Sequence, residues 1–317
     1  MTLVRIGLVS ARPLPPALVE HAHGLLTALP GSPSPEVLDT SRPGWFAVSV
    51  TARQDGASWA GAEGAAFGRE DRTSAVADAS RLAAELRGPA TALAVDSAVT
   101  AGELVADGVG LLVMDVDSTL ITAEVIELLA EHAGAREEVA DITERAMRGE
   151  LDFAASLRER VATLAGLEAE PVIAAVREAV ELSPGARELI DAIRAAGGKV
   201  GLVSGGFAEI VEPLADEAGV DHVAANRLEV EAGRLTGRTT GPVVDRAAKE
   251  HHLRQWAEQD GVPLARVVAV GDGANDLDML TAAGLGVAYC AKPVVQEQAD
   301  AAITFPRLDA VLGLLGH

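Results

Sequence analysis

With 317 residues, 49% of them hydrophobic but only 3% aromatic, the chain can bury two cores built of Ala, Val and Leu. Its formal net charge of -21 is uneven: residues 1–100 carry 8 basic and 10 acidic side chains, residues 101–317 carry 18 and 37. A surface that acidic excludes nonspecific binding to nucleic acid and to anionic membranes, and an anionic substrate has to be met by a metal ion or a few placed cations.

Cys290 is the only cysteine, so no intrachain disulfide can form, in keeping with a reducing cytosol. It follows an apolar run and is expected to be a buried, inert thiol. No apolar stretch is long enough to span a bilayer and no signal-peptide pattern opens the chain, so a cytoplasmic protein is expected.

In chain order, Leu3–Val9 alternates as a strand does and Pro15–Leu29 reads as a helix. Glu36–Leu38 and Trp45–Val50 read as strands, Gly56–Gly68 as a loop, Ser74–Leu86 as a helix and Thr91–Val95 as a strand. The order β-α-β-β-α-β suggests an α+β, ferredoxin-like domain over residues 1–100, with a linker at 97–108. No cluster of catalytic residue types falls in it. All the chemistry described below follows residue 109, so the catalytic part is expected to fold and work without residues 1–105.

Leu111–Met114 is a short apolar run that ends in Asp115-Val116-Asp117-Ser118-Thr119 and leads into an amphipathic segment. This predicts a buried strand, a tight turn with two carboxylates, then a helix. In open parallel sheets ligands bind outside the carboxyl ends of the strands, where Asp115 and Asp117 would sit. Asp, Ser and Thr are also good helix caps, so this stretch alone leaves cap and active site evenly balanced. From Glu124 to Leu182 the pattern is helical, broken by Gly134, Gly149 and Gly166 and ended near Pro184, which predicts a bundle able to close over the strand ends. Glu124 and Arg160 lie in it; an isolated Glu or Arg on a helix is more often a solvated face than a site.

Lys199–Val203 predicts another strand, followed by Ser204-Gly205-Gly206-Phe207, whose hydroxyl and N–H groups can point at one anion; Ser-Gly-Gly is equally a common turn. Leu228–Glu231 and Arg234–Thr236 around Ala232-Gly233 predict a β-hairpin. Lys249 is one of only three lysines, the others being Lys199 and Lys292, in a chain that otherwise uses Arg for positive charge. Val267–Val270 is a further apolar strand, ending in Gly271-Asp272-Gly273-Ala274-Asn275-Asp276. Carboxylates beside a strand end for a second time make a mere capped turn a poor explanation. Asp115, Asp117 and Asp272 supply hard oxygen ligands with no Cys or His beside them, a set that suits Mg²⁺.

In this order, D-x-D-S-T, S-G-G, Lys and G-D-G-x-N-D resemble the haloacid dehalogenase superfamily of phosphohydrolases, and most nearly its phosphoserine phosphatase branch. The segments Asp115–Leu120, Arg145–Met147, Leu151–Val161, Ser204–Phe207, Ala224–Asn226 and Gly271–Leu277 carry the likeness, over roughly residues 109–316. The resemblance implies a Rossmann-like doubly wound parallel sheet over residues 101–317, with a helical-bundle cap at about 124–182 and a small β-hairpin insertion. It implies Mg²⁺ as cofactor, O-phospho-L-serine as substrate, and is compatible with a homodimer. Asp115 would be the nucleophile and Asp117 the general acid and base, its carbonyl also binding metal. Asp115 and Asp272 would be side-chain metal ligands. Ser204, Gly205 and Lys249 would hold phosphoryl oxygens, Asn275 and Asp276 would support phosphate or metal, Glu124 and Arg160 would meet the ammonium and carboxylate, and Met147 and Phe153 would close the pocket. Some relatives carry an amino-acid-binding module ahead of the catalytic part.

Overall fold

Alternation along Thr2–Ser10 makes β1, whose Val4, Ile6 and Leu8 point to one face of a four-stranded antiparallel sheet. The computed structural model describes residues 2–29, 34–54, 69–147 and 150–317. In chain order the first layer contains β1, α1 (Pro16–Thr27), β2 (Glu36–Asp39), β3 (Phe46–Gln54), α2 (Arg69–Ala92) and β4 (Asp96–Ala101), and the sheet order is β2-β3-β1-β4. Val4, Ile6 and Leu8 bury against Leu18, Ala22 and Leu26 of α1 and Leu82 and Leu86 of α2. Each such side chain contributes roughly 1.5–3 kcal/mol by leaving water. The expected loop at Gly56–Gly68 lies outside the described residues.

The strand expected at Thr91–Val95 is not there. Thr91 and Ala92 finish α2, Ala94 takes a positive φ of 53°, and the strand begins at Asp96. β4 buries Asp96, Ala98 and Thr100; two of the three are polar, which hides the strand from a hydrophobic pattern. The stretch 97–108, expected to be a linker, is instead most of β4 followed by α3 (Glu103–Asp107).

The second layer is a seven-stranded sheet. Its elements in order are β5 (Leu111–Met114), α4 (Val125–Ala133), α5 (Arg136–Met147), α6 (Phe153–Ala162), α7 (Ala169–Ala179), α8 (Ala186–Ala195), β6 (Lys199–Phe207) and α9 (Ala208–Ala218). β7 (His222–Glu231), β8 (Arg234–Thr240), α10 (Arg246–Gln259), β9 (Val267–Gly271), α11 (Leu277–Ala282), β10 (Leu285–Tyr289), α12 (Pro293–Gln298), β11 (Ala301–Ile303) and α13 (Ala310–Leu315) complete it. The strand order is β11-β10-β9-β5-β6-β7-β8, parallel except for the β7–β8 pair. β5 is central and buried on both faces: Leu112 and Met114 enter one core, Leu111 and Val113 the other. Helices α4–α7 are inserted after it. The expected hairpin is the continuation of β7 into β8, so it extends the main sheet. Cys290, expected buried, is exposed and has a positive φ of 47° just past β10.

Candidate active site

Met114 pairs with Val270 on one side and Leu202 on the other, so the ends of β5 and β9 lie level with the Leu202–Ser204 part of β6. Asp115, Asp272 and Ser204 therefore converge on one rim. Capping does not use up the carboxylates of the first stretch. Asp115 Oδ1 accepts from the Val116 N–H at 2.7 Å, and Asp117 Oδ1 accepts from the N–H of Val125, the first residue of α4, at 2.7 Å. These bonds fix both carboxylates, and each keeps a second oxygen. Asp117 Oδ2 accepts from Ser204 Oγ at 2.9 Å, and the Gly206 N–H donates to the same Oγ at 2.7 Å. Gly206 is dictated by this approach: a Cβ there would lie 2.4 Å from Asp117 Oδ2.

Asp245 caps α10 by accepting from the Ala248 N–H at 2.9 Å, and one turn on Lys249 is 1% exposed. Its Nζ stands 2.8 Å from Asp115 Oδ1 and 2.6 Å from Asp276 Oδ1. Burial pushes the Lys249 ammonium down, but the two carboxylates outweigh it and hold the group charged, above the ordinary lysine range. Burial and then the Asp276 charge push Asp115 well above the ordinary aspartate range, against the pull of Lys249. Asp272 is pushed up to about 7 by burial and then by Asp276 and Glu124, and Asp117 to about 6 by burial and then by Glu124. Asp115, Asp272 and Asp276 each offer an oxygen within 4.8 Å of the others. Three carboxylates facing one ammonium leave a surplus of negative charge in a buried pocket, the condition that a divalent cation relieves. Asp276, fully buried, also accepts from the Gly273 N–H at 2.9 Å, so it stands at the centre of this group. The Asp117 side chain, by contrast, is turned to Val125 and Ser204. Thr119 Oγ1 lies 3.4 Å from Asp272 Oδ1.

The inserted helices bring the remaining residues. Glu124 accepts from Ser118 Oγ at 2.6 Å, with Ser118 held at a positive φ of 55°. Arg160 is half-buried in α6; burial lowers its guanidinium, while Glu124, Asp117 and Glu127 act in the opposite sense. The charges of Glu124 and Asp117 thus act on Arg160, whose Nε donates to the Ser156 carbonyl at 3.4 Å. The Phe153 ring reaches across to Gly205, 2.8 Å from where a Cβ would stand. Met147 is the last residue of α5, and its side chain lies outside the described residues. Asn275 folds back over Gly273. Ser118 and Asn226 hold neighbouring residues in place, and in the sequence they show only as members of the Asp115–Leu120 and Ala224–Asn226 segments that carry the family likeness.

A model of the haloacid dehalogenase-like hydrolase family matches residues 112–281, more than half of the chain. The chain belongs to the haloacid dehalogenase-like hydrolase family. A phosphoserine phosphatase of Streptomyces coelicolor is 58% identical over 227 residues, 72% of this chain and 55% of that protein. One of Streptococcus thermophilus is 54% identical over 206 residues, 65% of this chain and 95% of that protein. The chain spans about half the length of the first of these and of another similar relative. A solved phospho-aspartyl intermediate analogue of phosphoserine phosphatase is 42% identical, with a TM-score of 0.61, over 64% of this chain and 97% of that one. Haloacid dehalogenase hydrolases generally use a divalent metal, and the cluster of Asp115, Asp272 and Asp276 could hold one.

Proposed function

We propose that the chain is a cytoplasmic Mg²⁺-dependent phosphatase that hydrolyses O-phospho-L-serine to L-serine and phosphate, the last step of L-serine biosynthesis. The observation that carries the substrate is that Glu124, just before α4, and Arg160 of α6 bring opposite charges that act on each other, Glu124 and Asp117 also feeling one another. A cation and an anion at one end of a phosphate site match the zwitterionic head of an amino acid. The names of the relatives support the same reading.

In this reading Lys249 and Val116 N–H engage one oxygen of Asp115 and leave the other to attack phosphorus, forming an aspartyl phosphate. Ser204, Gly205 and Lys249 hold the phosphoryl oxygens, with Asn275 supporting them. Asp117, raised to about 6, keeps a proton more readily than an ordinary aspartate. It gives that proton to the departing seryl oxygen, then takes one from the water that releases phosphate. Asp115 and Asp272, with Asp276 and the Asp117 carbonyl, would hold Mg²⁺. Bound there, the ion supplies the positive charge that offsets repulsion between a phosphate dianion and Asp115. Met147 and Phe153 would close the pocket. Residues 1–100 are read as a ferredoxin-like module and 101–317 as the catalytic part; the sheet order β2-β3-β1-β4 supports the first assignment.

The test is kcat/KM for phosphoserine and for an aryl phosphate in wild type and R160A. Removing one partner of a desolvated charge pair costs about 2–5 kcal/mol, so phosphoserine should lose roughly 30-fold or more. The aryl phosphate, lacking a carboxylate, should lose far less. Equal losses would assign Arg160 to the phosphate or the lid and remove the support for serine.

A further inference from the structure

We infer that Asn226 is a positioning residue of the phosphate cradle, holding the Ser204–Gly206 turn and the leading end of α10 in one frame; the inference rests on the cradle assigned above. β6 and β7 pair in register up to Ser204 with Ala225 and resume at Phe207 with Asn226. Gly205 and Gly206 thus have no partner residue in β7, and the bulge removes them from the ladder. Asn226 repairs the gap with its side chain. Its Nδ2 donates to the Gly205 carbonyl at 2.8 Å, and its Oδ1 accepts from the Val244 N–H at 2.9 Å. A carbonyl can only accept and an N–H can only donate, so a single orientation of the amide fits. Asn226 is 1% exposed, and water cannot stand in for it freely.

The two bonded groups belong to different halves of the cradle. Gly205 lies between Ser204, whose hydroxyl meets Asp117, and Gly206, whose N–H meets that hydroxyl. Val244 precedes Asp245, which caps α10 and whose carbonyl accepts from the Lys249 N–H at 2.9 Å. One side chain therefore sets the spacing between the hydroxyl half, on β6, and the ammonium half, on α10. Phosphoryl transfer depends chiefly on such positioning. Loosening the frame weakens the grip on phosphate whatever the rest of the substrate is, which separates Asn226 from Arg160.

The experiment uses the full chain with Mg²⁺ and compares N226A, N226D and wild type, with L82A in the amino-terminal core as a destabilised control. Readouts are kcat/KM on phosphoserine and on an aryl phosphate, and the affinity for inorganic phosphate by calorimetry, which needs no turnover. Both Asn226 variants should lose about tenfold or more on both substrates and bind phosphate about tenfold more weakly, while folded L82A keeps wild-type values. N226D keeps an acceptor for Val244 but sets a carboxylate oxygen against the Gly205 carbonyl. Protonating the introduced carboxyl restores a donor, so the ratio of N226D to wild type should rise as pH falls. Folded N226D that binds phosphate within about twofold of wild type across the pH range would overturn the inference. So would a loss confined to phosphoserine, or the failure of both Asn226 variants to fold, which would make Asn226 a residue of the fold alone. If wild type binds phosphate and cleaves the aryl ester but ignores phosphoserine, the substrate reading fails and the Asn226 inference is still decided by phosphate affinity.

Discussion

Asp117 is held from two sides, by Val125 N–H and Ser204 Oγ, and Gly206 leaves room for that grip. A methyl group at Gly206 would collide with Asp117 Oδ2, so G206A should misplace the proton-transferring oxygen. A displacement of this kind costs on the order of 10²-fold, and kcat should fall by that factor while substrate affinity changes little. Wild-type kcat in steady-state kinetics would show that Asp117 does not act from this position. D115N is nearly isosteric, yet its amide cannot form an acyl phosphate; the purified variant should fold normally by circular dichroism and lack turnover. At this scale Asp115, Asp117, Ser204 and Asp272 could be picked out in the sequence because they lie at or just past apolar strand runs, and Lys249, on α10, because the chain has only three lysines. Asn226 was not legible as more than a family match because it acts on backbone groups at Gly205 and Val244, and no spacing in one sequence pairs them.

At the scale of elements, β5, β6 and β9 were readable because strands buried on both faces are continuous apolar runs. β4 was missed for the opposite reason: its inward face includes Asp96 and Thr100, and Asp96 finds its partner across the molecule at Thr304 rather than in an apolar layer. Helix α6 carries both Phe153 and Arg160, and it begins at Asp152, whose Oδ1 accepts from the Ala155 N–H at 2.6 Å. D152A removes that cap, at a cost of about 1 kcal/mol. Fraying the first turn loosens Phe153 over Gly205, so KM should rise a few-fold on phosphoserine and on an aryl phosphate alike. Wild-type KM values in D152A would dissociate the start of α6 from the site.

Across the whole molecule the two sheets share α13. Every residue of α13 is buried, and Val9, Trp45, Ala47 and Ala98 of the first layer join its core. Gly7 lets β1 approach so closely that a Cβ would lie 2.4 Å from the Leu314 carbonyl oxygen. Trp45 Nε1 donates to Asp309 at 2.9 Å, and Thr304 N–H donates to Asp96 at 2.7 Å. The sequence showed two layers and no hint of this contact, since its hydrogen-bonded partners are 208 and 264 residues apart. Removing residues 1–105 therefore bares the face of α13 that meets β1. The fragment should melt several degrees below the full chain or aggregate in light scattering, although a relative of about the catalytic length matches residues of the second layer. A fragment as stable as the full chain would make the contact dispensable. Asp96 is pushed up to about 6, chiefly by burial. The folded protein then binds that proton more tightly than the unfolded chain, so the contribution is fully present below about pH 4 and is lost as pH rises through about 6. D96N keeps an acceptor for Thr304 and abolishes the titration; urea unfolding should show it gaining on wild type between pH 4 and pH 7, by at most roughly 3 kcal/mol. A pH-independent difference would remove Asp96 from the account. Phosphoserine hydrolysis is measured as phosphate release from a panel of phosphorylated metabolites, with and without Mg²⁺. O-phospho-L-serine should give the highest kcat/KM, and chelating Mg²⁺ should abolish activity; a better substrate lacking the amino-acid head, or undiminished activity in chelator, would contradict the proposed function.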